Sequence, residues 1–558
     1  MACALSAAGA ANAAPKPRHP GAKASLESEV QQLKAQVESL QKTVYAQSEA
    51  LRSAQTQMQS NIAASRRDAD EATARARALQ ARLDQQIQQI PGAVQTAVAA
   101  QPKPSLDRLP YKGVSLTMGG FAAAETATRS HDQTADIGSS FAKIPYANDR
   151  AGHTSSTNFT GRQSRYSLLV QGNVTPAIHA SFYGEFDFLG AAQTANSNES
   201  NSYQPRIRHI YGALDWDAPG WHLLAGQNWS LATMNASGIT PRNEYIPLTI
   251  DAQYAVGFVW ARQPQVRIVK DFDKKVWLAL SLENPQTTFG NVAVASGVTL
   301  TNNQAPAGQF FSGTNYSLND IPDIIGKAAI EQDLDGHHLH AELFGIYRSY
   351  LSRVTIAPTA TNQAGLLGLT AGTQSVRSDG GGVGGGVVLG AIPKLLDLQA
   401  SFLAGEGIGR YGTSQFPDVA AQPDGTLKPI SETFWLAGAT WHATPMLDLY
   451  VYGGEEDARS KVFRPAALPG VAFGYGTLPG SNNAGCAVEG GACSAVTRSL
   501  QQIDFGLWDK IYQGAFGSVR FGLQYSHTEK RAFADAATGF APKATEDMLF
   551  TSFRYYPF

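Results

Sequence analysis

Two periodicities follow one another along the chain. Near the start, Leu26, Val30, Leu33, Val37, Leu40 and Val44 recur at alternating spacings of four and three, and Leu51, Ala54 and Met58 keep that register. Val at a and Leu at d make this a coiled-coil seam. The seam degrades between Ser65 and Ala74, and Leu79, Leu83, Ile87 and Ile90 restore it. A continuous helix over this stretch would be roughly 100 Å long. Its polar faces are rich in Gln, Glu, Arg and Lys, which favours self-association over packing against the rest of the chain. The expectation is an α-helical coiled coil over residues 25–90, followed by a linker at 91–111 that contains Pro91-Gly92 and the run QPKPSLDRLP.

After Tyr111 the period falls to two. Ile178, Ala180, Phe182, Gly184, Phe186 and Phe188 share a face opposite His179, Ser181, Tyr183, Glu185 and Asp187. Val276, Leu278, Leu280 and Leu282 likewise oppose Trp277, Ser281 and Glu283. Sixteen such segments can be marked between residues 112 and 558, the first near Lys112, the tenth near Gly382 and the last near Glu546. Each has the length of a tilted membrane strand.

A soluble sandwich alternates in the same way, but the connections differ. Short turns such as Asp271–Lys274 and Asp335–Gly336 alternate with long polar stretches at 129–161, 191–204, 230–257, 284–323, 352–380, 406–431, 456–497 and 529–545. Short turns on one rim and long loops on the other mark an all-β transmembrane barrel of about sixteen antiparallel strands. A compact soluble domain rarely carries eight long loops. An even strand count puts both barrel ends on the short-turn side. The coiled coil is therefore expected in the periplasm.

Composition narrows the function classes. The 558 residues hold 44 Lys and Arg against 46 Asp and Glu, a formal net charge of -2, which gives no support to nucleic-acid binding. No apolar run reaches the roughly 18 residues of a spanning helix. The mean hydropathy of -0.20 is uninformative for barrel strands, which average apolar and polar positions. Residues 1–14, MACALSAAGAANAA, with Ala11-Asn12-Ala13 as an A-x-A pattern, are expected to be the remnant of an export signal. Cys486 and Cys493 lie in a Gly-rich segment and can close a small loop in an oxidising compartment.

The motifs SRYSLLVQG (164–172), YGEFDF (183–188), PRIRHIYGAL (205–214), LLAGQNWS (223–230), PQVRIV (264–269) and LENP (282–285), with the terminal aromatic strand, resemble the DcaP-like outer-membrane porins of Gram-negative bacteria. The resemblance implies a sixteen-stranded homotrimer with a periplasmic coiled coil and uptake of small, often anionic solutes such as dicarboxylates. A trimer departs from the dimer that Val at a and Leu at d favour by themselves. In this setting the partners are outer-membrane lipid and lipopolysaccharide. The chain ends in Phe558, with Tyr556 and Phe550 at even steps before it, a pattern similar to the signal read by the barrel assembly machinery, although Arg554 interrupts that face.

A barrel of sixteen strands leaves an aqueous lumen whose lining sets selectivity. The basic candidates for an anion path are Arg162, Arg165, Arg206, Arg208, Arg262, Arg267 and Arg348, since guanidinium forks suit carboxylate and phosphate. Arg165 opposes Tyr166, Leu168 and Val170 and has the firmest inward assignment. The opposing acids are Glu185, Asp187, Glu283 and Glu342. The third long loop, carrying Arg242, Asn243, Glu244 and Asp251, is expected to fold inward as a constriction.

No enzyme or cofactor is expected. No nucleophile, base and oxyanion set stands at a readable spacing, and the glycine run at 380–386 lacks the Lys and following helix of a phosphate loop. In HHLHAE, alternation puts His338, His340 and Glu342 on one face, which reads better as polar lining than as a metal site. The competing reading is a structural outer-membrane protein, an adhesin or a tether acting through its coiled coil.

Overall fold

The computed structural model describes residues 109–190, 204–304 and 316–558, together with helical positions scattered between 31 and 78. The chain divides into two units, Met1–Pro104 and Ser105–Phe558. In the first, the described positions, Val37 and Tyr45 among them, are helical and exposed. The export remnant and the other seam residues lie outside the described residues.

The second unit is a closed antiparallel barrel of sixteen long strands: β1 (Val114–Arg129), β2 (Arg165–Thr175), β3 (Ile178–Asp187), β4 (Arg206–Trp216), β5 (Trp221–Trp229), β6 (Arg262–Phe272), β7 (Val276–Glu283), β8 (Asp323–Leu334), β9 (His337–Ile356), β10 (Gly372–Ile392), β11 (Leu396–Glu406), β12 (Ser431–His442), β13 (Leu447–Ala458), β14 (Thr497–Gly514), β15 (Gly517–Ala532) and β16 (Lys543–Tyr556). Each strand pairs with the next, and β16 returns to β1 in the register Ala122↔Tyr555, leaving no open edge between first and last. Short strands extend the sheet: Ser156–Thr160 along the end of β1, Val298–Thr301 along β9, and Leu109–Tyr111 along the start of β1. The last three residues of the expected linker therefore belong to the sheet.

Alternation builds the wall. On β7, Val276, Leu278, Leu280 and Leu282 are exposed on the outside while Trp277, Ser281 and Glu283 are buried inside. The outward set continues through Val266, Ile268, Ile330, Leu343, Val383, Val387 and Phe402. Exposed Trp221, Phe272, Trp441, Phe521 and Tyr555 stand toward the turn rim, where a barrel's aromatic girdle lies. The turns follow local chemistry: Asp335 and Gly336 both take positive φ, 54° and 86°, as a two-residue hairpin turn requires.

Three expectations change. First, β10 begins at Gly372, ten residues before the position read from alternation, and β9 runs to Ile356, so the loop expected at 352–380 shrinks to 357–371. These strand tips stand beyond the apolar belt: Arg353, Thr373, Gln374, Ser375 and Arg377 are exposed, so the pairing continues where the hydrophobic alternation has stopped. Second, β16 turns the other way. Leu549, Phe553 and Tyr555 face out, whereas Phe550, Ser552, Arg554 and Tyr556 are on the inner side, so Arg554 interrupts no apolar face. Third, β4 carries a bulge where the register slips between Glu185 and Phe186 of β3. The extra residue sends both Arg208 and His209 inward between exposed Ile207 and Ile210, which is why polar and apolar residues mix there.

Candidate solute path

Residues 230–261 leave the wall after β5 and cross the interior. The Asn235 amide donates to Glu342 Oε2 at 3.1 Å, and Arg242 Nη1 to the Tyr211 hydroxyl at 2.8 Å. Farther on, the Leu248 amide meets the Tyr452 hydroxyl (3.2 Å), Ile250 the Gln524 side chain, Val256 Gln502 Oε1 (2.8 Å), and Gly257 Glu456 Oε1 (2.9 Å). One loop, the third long loop of the sequence, thus holds strands from β4 through β9 to β15.

Two sequence features that looked like sites support this loop. Glu342 of HHLHAE accepts from Lys327 Nζ at 2.7 Å and faces His340 Nε2 at 3.1 Å, while Lys327 also donates to the Thr233 carbonyl at 2.8 Å. His340 Nδ1 and the Gly238 amide both bond Glu331 Oε1, so both nitrogens of His340 are engaged by carboxylates. The glycine run gives β10 a bare inner face at Gly380, Gly382, Gly384 and Gly386. A Cβ at Gly384 would collide with the Phe344 ring, and one at Gly386 with Met234 of the crossing loop.

Between the loop and the wall of β2–β5 and β13–β16 lies a cavity of about 400 Å³. Arg165, Arg208, Arg242, Arg520 and Arg554 line it, facing the loop segment Ile246–Pro247–Leu248–Thr249. Arg208 is anchored by Glu185 (2.5 Å), Asp187 (3.0 Å) and the Tyr254 hydroxyl (3.1 Å). Arg165 reaches Glu185 only at 3.7 Å. Arg554 holds Glu125 at 2.8 Å, and Arg165 and Arg554 share the face of Phe121, at 5.3 and 4.7 Å from its centroid. Arg520 and Arg554 are direct cross-strand partners, an arrangement that like charges disfavour. Arg520 has no carboxylate partner among the described residues and lies over Tyr556 at 4.4 Å; Arg242 has none either and lies over Tyr183 at 5.5 Å.

The loop groups at this wall sense the burial. Burial raises the Asp251 carboxyl against the pull of Arg129 and of hydrogen bonds from Ser139 and Gln253. It raises Glu244 too, against Arg267. At Tyr254 burial also pushes up, but Arg208, Arg262 and Arg165 together bring the phenol down to about 8.

Of the seven arginines expected along an anion path, Arg165 and Arg208 line this cavity; so do Glu185 of the four acids, and Arg242, Glu244 and Asp251 of the loop set. The remaining expected residues do not. Arg348 is enclosed, pairing with Asp418 at 2.6 Å and Asp323 at 3.2 Å. Arg267 is buried against the Trp229 carbonyl at 2.7 Å, and Arg262 lies over the Trp229 ring at 4.7 Å. Arg162 ties Asp136 at 2.9 Å, and Arg206 grips Asp187 with two bonds of 3.0 and 2.7 Å. Asp187 is taken by these arginines, Glu283 by the Leu231 amide at 2.7 Å and by Gln263, and Glu342 by the loop clamp. Exposed Asn243 bonds Thr240 at 2.6 Å. Cys486 and Cys493 are joined by a disulfide in the loop after β13. Arg520 and Arg554 were missed; the signal for Arg554 was its break in the wrong face of β16.

No family model matches the sequence, and no curated protein matches it. Among solved structures the chain is similar to the outer membrane channel DcaP of Acinetobacter baumannii, at 15% identity, with 81% of this chain and 100% of that chain covered and a TM-score of 0.52. It is also similar to OprB of Pseudomonas putida (9% identity, 79% and 94% covered, TM-score 0.42) and to an anion-selective porin from Comamonas acidovorans (10%, 79% and 99%, 0.40), both too distant to carry an argument. Likeness at this level establishes the fold: the barrel of this chain is built as the DcaP channel is.

Proposed function

We propose that the chain is an outer-membrane porin, a passive diffusion channel for small polar, anionic solutes such as dicarboxylates, and not an enzyme. The observation that carries the reading is the pair of guanidinium groups, Arg242 and Arg520, that face the lumen cavity without a carboxylate partner among the described residues. A fixed cation that no fixed anion neutralises attracts mobile anions, and a narrow lumen strengthens that attraction. The apolar outer belt suits lipid, with lipopolysaccharide at the loop rim. The same reading places the helical N-terminal unit in the periplasm, joins three copies through it, and has the assembly machinery insert the barrel. Val37, exposed in the single chain, supports self-association of that unit.

Liposome swelling with neutral, anionic and cationic solutes of matched size tests the proposal. Faster swelling with the anions is expected. Equal rates leave a general pore, and no swelling removes the channel.

A further inference from the structure

Two imidazoles on the lumen side, near the short-turn rim, are each held between two carboxylates. His222 of β5 has Nδ1 at 2.6 Å from Asp215 of β4 and Nε2 at 3.0 Å from Asp271 of β6. His442 of β12 has Nδ1 at 2.6 Å from Asp448 of β13 and Nε2 at 3.2 Å from Asp397 of β11. An ionised carboxylate only accepts hydrogen bonds, and a neutral imidazole has one donor. Both bonds of each clamp therefore form with ionised acids only when the ring is an imidazolium.

The two clamps stand seven strands apart in a circle of sixteen, nearly opposite one another across the lumen. Their rings are 17% and 34% exposed, within reach of water and protons, whereas His340 in the loop clamp is fully buried. Asp448 also lines the arginine cavity.

We propose that His222 and His442 are specificity-determining residues of the channel, whose protons set the charge of the lumen on its turn side. The proposal rests on the porin reading above. The charged groups facing His222 are Asp215 and Asp271, with the Trp277 ring stacked on it at 5.6 Å. Those facing His442 are Asp397 and Asp448, the latter also 3.4 Å from Lys510 of β14. Protonated, the first clamp carries one net negative charge and the second, with Lys510, carries none. Loss of both protons adds two negative charges beside the path. Charges within a Debye length, about 10 Å at 0.1 M salt, act on passing ions. Rising pH therefore moves preference away from anions and toward cations.

Planar-bilayer reversal potentials of the full-length protein in a salt gradient test this between about pH 5 and about pH 9, the span that brackets imidazole titration. The comparison is made in a Tyr254→Phe background, which removes the phenol that ionises at about 8 in the cavity. The expected result is a severalfold fall in anion preference across that span, abolished in His222→Gln/His442→Gln. The same fall in the double variant overturns the proposal. If that variant does not insert, Asp271→Asn and Asp448→Asn take its place. Each is expected to raise anion preference at the alkaline end and flatten the pH response; no change in either overturns the proposal. A cation-preferring channel whose pH response still requires the two histidines overturns the anion reading and leaves this one. An anion-preferring channel with no pH response overturns this one alone.

Discussion

Arg348 and Arg520 are both inward-facing arginines on barrel strands, yet they belong to opposite kinds of lumen. Around Arg348 the loops after β7 and β11 fold in, so that Asp323, Asp418 and the carbonyls of Gly407 and Gln286 enclose the guanidinium completely. Around Arg520 the loops stop short, leaving a cavity in which its nearest company is Tyr556, Arg554 and the far wall of the crossing loop. The first arginine is structure, because every charge it carries is spent on protein. The second has no such partner among the described residues. An inward charge on a barrel strand does not by itself mark a pore lining; the balance of local partners decides.

Substitution at Arg348 gives the largest expected effect. Arg348→Met leaves Asp418 buried without its cation and Asp323 with Arg410 and the Tyr411 hydroxyl alone, a loss of about 3–5 kcal/mol. It is expected to lower the unfolding midpoint in urea and the yield of heat-resistant barrel, without a specific change in ion preference. Arg520→Gln is the converse experiment. It leaves no acid unpaired, so stability is expected to hold while anion preference in a salt gradient falls severalfold. A stability loss at Arg520 equal to that at Arg348 would erase the distinction.

Smaller effects sharpen the boundary between the two halves. Gly386→Val drives a side chain against Met234 and the Ala400 carbonyl and is expected to loosen both the crossing loop and the β10–β11 pairing. Single-channel traces would then show added open-state noise and a change in mean conductance below about twofold. Tyr254→Phe is the mildest. Its phenol is neutral below about 8 and a phenolate above, so the wild-type cavity gains a negative charge and loses some anion preference as pH rises through 8. The variant is expected to lack that step in reversal-potential titrations.

Strand positions were largely legible because a wall with lipid on one side and water on the other imposes a period of two on every strand. Legibility ended where that asymmetry ended. At Gly372–Gly381 the outer face carries Thr373, Ser375, Arg377 and Asp379, exposed and polar, so the strand continues under a sequence that reads as loop. At Arg208–His209 a bulge breaks the period and sends two neighbours inward together. On β16 the face was read from the terminal aromatics, although Tyr556 and Phe550 turn inward, and the error hid Arg554. The site was less legible than the wall. Alternation puts Arg165 on the inner face, and loop order singles out the third long loop. The enclosure of Arg348 did not, because it depends on Asp418, seventy residues away in a loop that alternation does not describe.

The claim that solutes pass on the Arg520 side of the crossing loop can be tested in one measurement. Arg520→Cys, in a chain carrying Cys3→Ser, adds an accessible thiol at the cavity, while Cys486 and Cys493 stay locked in their disulfide. A negatively charged thiol reagent is applied to the protein during single-channel recording. The predicted result is a stepwise fall in current and a shift of the reversal potential toward cation preference. Unchanged current and reversal potential after complete labelling would place the path elsewhere and contradict the account.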